Sequence, residues 1–349
     1  MYYGLVANIN DVARLAGVSA TTAKRAVRDP DKLAPQTLAR VRKAIDELHY
    51  EPDEIAAALR RQHNNTIGMI VGSIVQPFFA LLTRAVNRAV RQRGYTFILA
   101  DSEYRTDLEL ELLQKFHGQR VAGIILRSGY GDPNLDYLRR VQRSGIRIVE
   151  IDHIYPDSPF AHVMLNGKET VETGVRHLMS YGHTRIAALG DYHPTINPDE
   201  RSAAFPEVMA AAGLPVPDDY RHPIPPVEVA AYEATKRLMA VPHPPTALFA
   251  LNGSMAVGAY KALKDLGIRI PRDVSLLAFD NYPWTSLVHP GIDVLEQPIE
   301  EMGRTAAGIL FDAIDRDGVA TERHRFSARL IVRGSCAAPR SELQAVRSR

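Results

Sequence analysis

Short apolar runs alternate with amphipathic segments along most of this 349-residue chain, and this alternation restricts the possible fold more than any other feature. A run followed by residues at helical spacing is typical of a β-strand followed by a covering helix. Predicted strands lie at 67–71, 95–100, 121–126 and 148–151 and then, after Asn166, at 186–189, 248–250 and 274–279. Such alternation predicts parallel sheets with helices on both faces. We therefore expect two doubly wound α/β subdomains.

The first sixty residues carry a different pattern, with helical spacing throughout. Asn8 can cap a first helix from Ile9 to Ala16, whose apolar residues are spaced i, i+3, i+4, i+7. Gly17 permits the positive φ of a tight turn, and Ser19 can cap a second helix from Ala20 to about Arg28. A third helix is predicted at 35–49, because a proline suits its first position. Together they predict an all-α helix-turn-helix unit.

The charge of the chain is concentrated in that unit. The whole chain has 42 Lys+Arg and 40 Asp+Glu, a net charge of +2. Residues 14–43 contain eight basic and two acidic residues, a local charge of +6, whereas residues 64–349 carry 32 of each sign. A basic cluster beside a neutral body suggests contacts with phosphate, although a charge run can also be a solvated helical face.

Several motifs together carry a family resemblance. The run INDVARLAGVS at 9–19, followed by Thr22 and Arg25, resembles the headpiece of the LacI/GalR family of bacterial transcriptional regulators. Downstream, QPFF at 76–79 and RVAGIIL at 120–126 are also similar to that family. The resemblance covers essentially the whole chain. It implies that the α/β part is a type I periplasmic-binding-protein-like clamshell, and that the protein is a repressor that responds to a ligand.

The resemblance also implies a domain organisation. Residues 1–51 are the DNA-binding headpiece, 52–63 a hinge helix or linker, and 64–349 the effector-binding and dimerisation core. Within the core, the expected N-subdomain comprises about 64–163 and 293–322. The expected C-subdomain comprises about 164–292 and 323–340.

The same resemblance implies which residues face DNA. The recognition helix would enter the major groove with Ala20, Thr21, Thr22, Lys24 and Arg25. A hinge leucine, here Leu59 with Ala56 beside it, would wedge into the minor groove at the operator centre, which kinks the duplex. Lys24 replaces a usual serine and adds a cation to this surface.

Effectors of such clamshells are expected beyond the carboxyl ends of the strands. The positions carried over from the family are Ser73, Gln76, Ser102, Asp152, Arg201, Phe205, Asn252, Asp280 and Gln297, with Trp284 as a further apolar platform. Arg201 can clamp a carboxylate or a pair of hydroxyls. Sugar, sugar acid, polyol and nucleobase remain open as effectors, with a sugar or sugar derivative favoured.

Two other classes of function were weighed. A solute-binding protein with the same core disagrees with the headpiece and with an N-terminus that lacks the features of a secretory signal. An NAD-dependent enzyme disagrees with the glycine run at 129–134, which lacks the third glycine of the dinucleotide motif. We therefore expect no catalysis, no cofactor and no metal.

The remaining expectations concern partners and location. The single cysteine, Cys336, suits a reducing cytoplasm, and no apolar run approaches the about 20 residues of a membrane helix. The tail after Cys336 has no apolar heptad, so we expect no coiled-coil tetramer. The family resemblance implies a homodimer whose two headpieces bind a pseudo-palindromic DNA operator.

Overall fold

The computed structural model describes residues 7–50, 64–131, 133–190, 200–221 and 224–340. The chain divides into two compact units, Met1–Asn64 and Asn65–Arg349, and each is described by itself. The predicted hinge contacts Ala56 and Leu59 lie outside the described residues, and so do both ends of the chain.

Three helices form the first unit, close to their predicted bounds: α1 (Ile9–Leu15), α2 (Ala20–Arg28) and α3 (Pro35–Leu48). Asn8 and Asp11 form a reciprocal capping box at the start of α1. Gly17 adopts φ +61° in the turn, and the Ser19 hydroxyl accepts a 3.1 Å hydrogen bond from the Thr22 amide. The helix-turn-helix prediction is confirmed.

The three helices pack around a small apolar cluster. Its buried members are Val12, Ala16, Ala26, Val41 and Ala44. These residues come from all three helices at helical spacing, so each helix turns one apolar face inward. Lys24 and Arg25 are exposed on α2.

The first sheet of the second unit has the strand order β10-β5-β4-β3-β1-β2, and all its pairings are parallel. Its strands are β1 (Thr66–Val71), β2 (Thr96–Asp101), β3 (Gly123–Leu126), β4 (Arg147–Ile151), β5 (Ala161–Leu165) and β10 (Arg323–Phe326). The helices associated with it are α4 (Pro77–Gln92), α5 (Thr106–Gly118), α6 (Leu135–Arg143) and α12 (Ile299–Asp315).

The second sheet has the order β11-β9-β8-β7-β6. Its strands are β6 (Ile186–Leu189), β7 (Ala247–Ala250), β8 (Ser275–Phe279), β9 (Asp293–Glu296) and β11 (Arg329–Ile331). Its helices are α7 (Gly167–Ser180), α8 (Glu200–Ala211), α9 (Glu228–Ala240), α10 (Gly253–Asp265) and α11 (Pro283–Leu287). Only the last pairing in this sheet, β11 with β9, is antiparallel among the described strands.

The chain passes between the two sheets at positions that differ from the predicted ones. β9 (Asp293–Glu296) was assigned to the N-subdomain but pairs with β8 in the second sheet. β10 (Arg323–Phe326) was assigned to the C-subdomain but pairs with β5 in the first sheet. Both expected crossings were therefore about four residues early. Neither short strand has a pattern of its own, so only pairing with a neighbouring strand reveals its sheet.

Candidate effector cleft and DNA-facing helix

A cleft lies at the carboxyl ends of the strands, where residues of both sheets meet. Parallel sheets place ligands at this edge, because the loops after the strands converge there. The first sheet contributes Gln76, Phe78, Phe79, Tyr104, Arg127, Tyr130, Asp152 and His153 to its wall. The opposite wall and the crossing contribute Gly190, Arg201, Ser202, Pro226, Leu251, Asn252, Met255, Asp280 and Gln297.

Six of the ten predicted effector residues line this cleft. They are Gln76, Asp152, Arg201, Asn252, Asp280 and Gln297. Each lies in or next to a segment that follows a strand, which is why the position along the chain could locate it. Their contact with an effector stays a prediction.

Two predicted serines do not line the cleft. The buried Ser102 donates a 3.0 Å hydrogen bond from Oγ to the carbonyl of Val71, and so ties the end of β2 to the end of β1. Ser73 is half-buried, and its carbonyl accepts a hydrogen bond from the Gln76 amide in the turn before α4. Both serines shape the loops of the wall.

The two predicted apolar platforms are also elsewhere. Phe205 is completely buried in the core of the second sheet, with its ring edge-on to Phe249 at 6.4 Å, and it does not line the cleft. Trp284 packs against the cores of both sheets and lies 5.7 Å from the Tyr260 ring. Both side chains pack in apolar cores, because burying a large apolar side chain among apolar neighbours lowers the free energy more than placing it on a polar wall.

Asp280 is the most completely buried carboxylate of the cleft wall, 2% exposed. Its Oδ1 accepts a 2.7 Å hydrogen bond from Gln297 Nε2, and its Oδ2 accepts a 2.9 Å bond from the Tyr282 hydroxyl. Burial raises the pKa of Asp280, while the hydrogen bond from Gln297 and the charge of Arg201 oppose that rise. The carboxylate is thus held in one orientation by neighbours from two loops.

Arg127 directly follows β3, is 4% exposed, and is not among the effector residues predicted from the sequence. Its guanidinium carbon lies 4.9 Å from the ring centre of Tyr104 and 4.7 Å from that of Tyr130, within cation–π distance of both. Its Nη1 donates a 2.8 Å hydrogen bond to the Ser128 carbonyl, and its Nε lies 3.8 Å from Oδ2 of Asp152. Its place after an apolar strand was the signal that could have found it.

The opposite wall presents a second cation and a helix cap. The guanidinium carbon of Arg201, near the start of α8, lies 5.0 Å from the Phe279 ring centre. Asn252 accepts a 2.8 Å hydrogen bond from the Ser254 amide and so caps α10. Cations, carboxylates and amides on both walls can bind a small polar molecule.

Two buried carboxylates lie directly behind the loop that carries Arg127 and Tyr130. Glu150 accepts hydrogen bonds from the hydroxyls of Ser128 and Ser158, and Glu109 accepts a 2.6 Å bond from the Gly129 amide. Burial raises the pKa of Glu150 to about 7, and the hydrogen bonds from the two serines oppose the rise. The loop is therefore fixed from behind by polar contacts.

One cluster away from the cleft has metal-binding residue types. Ligand atoms of His177, Asp293 and Cys336 lie within 4.8 Å of one another. Oδ2 of Asp293 is 2.9 Å from His177 Nε2, and its Oδ1 accepts hydrogen bonds from the amides of residues 333–335. Burial raises the pKa of the Cys336 thiol well above its usual range. These contacts fasten the segment after β11 to the second sheet.

The predicted recognition helix α2 presents polar side chains to solvent. Thr21, Lys24 and Arg25 are exposed, whereas Ala20 and Thr22 are half-buried. The Thr22 hydroxyl lies 2.9 Å from the Ser19 hydroxyl, so it already takes part in the helix cap. Exposed basic and hydroxyl groups on one short helix are the groups that read bases and bind phosphates.

None of the helices in the described part of the chain combines the length and apolar character needed to cross a lipid bilayer.

A two-part architecture of DNA-facing headpiece and ligand cleft defines the class: a DNA-binding regulator with a periplasmic-binding-protein-like core. Two family models match accordingly. Residues 8–53 match "Bacterial regulatory proteins, lacI family", and residues 175–336 match "Periplasmic binding protein-like domain".

Curated relatives match over nearly their full length. The chain is 30% identical over 310 residues to the HTH-type transcriptional repressor PurR of Pectobacterium carotovorum, covering 88% of this chain and 91% of the relative. It is 29% identical over 334 residues to the ribose operon repressor of Escherichia coli, covering 95% of this chain and 100% of the relative. The chain belongs to the LacI family of bacterial regulatory proteins. It is a DNA-binding transcriptional regulator and not an enzyme.

A solved structure agrees with this fold. The lac repressor dimer bound to operator and the anti-inducer ONPF superimposes with a TM-score of 0.82 at 21% identity, covering 96% of this chain and 100% of that chain. The type I clamshell prediction is thereby confirmed.

Proposed function

We propose that this chain represses transcription by binding a pseudo-palindromic operator as a homodimer, and that a small polar effector in the cleft controls this binding. The observation that carries the proposal is the presence of both parts in one chain. The first unit has a capped helix with exposed Lys24 and Arg25, and the second unit has a polar cleft formed by two sheets. The named repressors PurR and ribose operon repressor, which the chain resembles along its length, support it.

The DNA contacts of the proposal are Ala20, Thr21, Thr22, Lys24 and Arg25 in the major groove. Arg25 is exposed and can donate two hydrogen bonds to a guanine edge. The hinge residues Ala56 and Leu59 act in the minor groove. A two-fold dimer presents two copies of these surfaces, which requires two half-sites of opposite orientation.

The effector side rests on the cleft. Its wall offers two guanidinium groups, two carboxylates and several amides, which suits a small molecule with several hydroxyl groups, a sugar or sugar derivative. Closing the cleft on such a molecule changes the relation of the two sheets. Coupling of this kind shifts operator affinity only if the effector prefers one of the two states, and it is typically worth about 1–3 kcal/mol.

The test is removal of the headpiece. The division of the chain after Asn64 predicts that a protein lacking residues 1–62 folds and binds effector. It should lose binding to a duplex that the full chain selects from a random library, measured by mobility shift. Retained specific binding by the truncated protein would reject the proposal.

The assembly and location follow from the same proposal. We expect a dimer held by the core in sedimentation experiments, and a tetramer would contradict it. A regulator that binds chromosomal DNA acts in the cytoplasm, which agrees with a chain whose single cysteine is buried and unpaired with another cysteine.

A further inference from the structure

Arg127 is a buried charge with incomplete compensation. A buried guanidinium is costly unless it is both paired and hydrogen-bonded. Its Nε has no hydrogen-bond partner within the part of the chain that the structure describes. The carboxylate oxygen of Asp152 lies 3.8 Å from that Nε, beyond the about 2.7–2.9 Å of a charge-assisted hydrogen bond.

The neighbours of Arg127 hold it in place and leave this donor unused. The rings of Tyr104 and Tyr130 both lie within 5 Å of the guanidinium carbon, and Nη1 is anchored on the Ser128 carbonyl. Arg127 and Ser128 are buried, and the two half-buried tyrosine rings lie against the guanidinium, so the side chain is held in place. The cleft thus contains a fixed cation whose Nε–H group has no acceptor among the described residues.

A second buried atom in the same cleft lacks a hydrogen-bond donor among the described residues. Gln297 donates through Nε2 to Asp280, but its Oε1 has no hydrogen-bond partner among the described residues. Gln297 is only 5% exposed, so water from bulk solvent reaches it poorly. This acceptor requires an O–H or N–H donor.

We propose that the effector is a polyhydroxy carboxylate, a sugar acid, whose carboxylate accepts from Arg127 and whose hydroxyl donates to Gln297. The inference deepens the proposed function and rests on it. An uncharged sugar supplies donors for Gln297 but no anion for Arg127. A hydroxyl or a nucleobase carbonyl can also accept from Arg127, but neither brings the negative charge that a buried guanidinium favours, so the acid matches both buried atoms best.

The test compares acids with neutral sugars of the same carbon skeleton on the full chain by isothermal titration calorimetry. The pairs are gluconate and glucose, galacturonate and galactose, and ribonate and ribose. We expect at least one acid to bind about 10-fold or more tightly than its neutral partner, as a charge-assisted hydrogen bond requires. Equal or tighter binding of the neutral partners, or no binding of any acid, overturns the inference.

Variants locate the carboxylate contact. Arg127→Gln should weaken the binding of the acid by about 10- to 100-fold. The affinity for the neutral sugar, if it binds at all, should change by no more than about threefold. The exposed Arg143→Gln on α6 is the matched control and should change neither. An equal loss for acid and neutral sugar makes Arg127 a structural residue and overturns the inference.

A second variant guards against misfolding. Arg127→Gln removes the cation whose Nε lies 3.8 Å from the Asp152 carboxylate, so the double variant Arg127→Gln/Asp152→Asn removes both of these charges together. The double variant should have the same thermal unfolding midpoint as the parent protein, and its affinity for the acid should still be lost. If it binds the acid as the parent does, the inference is wrong.

A mobility shift on the duplex selected by the full chain separates this inference from the proposed function. If neutral sugars change operator binding and acids do not, only the carboxylate inference fails. If the chain selects no duplex, the proposed function fails, and the calorimetry still decides which ligand class the cleft binds.

Discussion

Asp152 and Asp280 occupy matching positions in the two sheets. Each directly follows a strand, β4 or β8, and each has a left-handed backbone, with φ +68° and +67°. Their amides donate to the next strand in the same way, to the carbonyls of Val163 and Leu295. Aspartate tolerates this conformation better than most residues with a side chain. The two halves of the core therefore each direct a carboxylate to one cleft from the same kind of turn.

Arg25→Ala should weaken binding to the selected operator by about 1–3 kcal/mol and relax the preference at one base position, because a bidentate guanine contact is lost. Fluorescence anisotropy on a set of duplexes with single base changes measures both effects. The exposed Arg42→Ala on α3 is the control and should leave the base preference intact. An equal loss on every duplex would instead make Arg25 a phosphate contact.

Leu59→Ala should weaken specific operator binding, because an inserted leucine stabilises the kinked duplex through contacts that alanine is too short to make. Mobility shift gives the affinity, and calorimetry should show an unchanged melting temperature of the core. Leu287→Ala removes a leucine that is 82% exposed on the core and serves as the control. Unchanged operator affinity of Leu59→Ala would remove the wedge from the proposed mechanism.

Glu150 makes the stability of the core depend on pH. Its ordinary pKa of 4.5 rises to about 7 in the folded protein because of burial. Between these values the folded protein keeps a proton that the unfolded chain has lost, so the free energy of unfolding falls as pH increases, by up to about 3 kcal/mol. The stabilisation is complete below pH 4.5 and is lost above pH 7.

Urea unfolding of the full chain at a series of pH values measures this slope. Glu150→Gln should flatten it but not abolish it, because burial also raises the pKa of Glu109 in the same network. Glu111→Gln removes an exposed carboxylate that pairs with Lys115 at 2.6 Å and should leave the slope unchanged. A parent protein that gains stability across this window would contradict the assignment.

Gly258→Ala should destabilise the core by about 1–3 kcal/mol or more, because overpacking forces the backbone apart. An added Cβ would lie 2.2 Å from the Glu228 carbonyl oxygen and 2.8 Å from the Tyr232 amide nitrogen, where α9 and α10 meet. Gly308→Ala on α12 is the matched control: its Cβ meets nothing within 4 Å, so it should gain about 0.5–1 kcal/mol. Thermal unfolding compares the two, and equal melting temperatures would refute the close contact.

Local signals were sufficient for the headpiece and for most of the sheets. Asn8, Gly17 and Ser19 act through their own neighbours in the chain, so their caps and turn follow from residue type and spacing. Strand β6 was predicted with its exact bounds, because a buried parallel strand is a continuous apolar run. By contrast, α8 has a proline inside it and weak periodicity, and it was not predicted.

The order of apolar and polar residues along the chain therefore determined the helix-turn-helix and the two α/β halves. It also determined which loops follow the strands, and a cleft forms at those loops. Tertiary structure decided which side chains of those loops reach the cleft. Phe205 turned into the core, whereas Arg127 was fixed between two tyrosine rings on the cleft wall. The reason is physical: periodicity reports the average burial of a segment, but the direction of one side chain depends on packing partners distant in sequence.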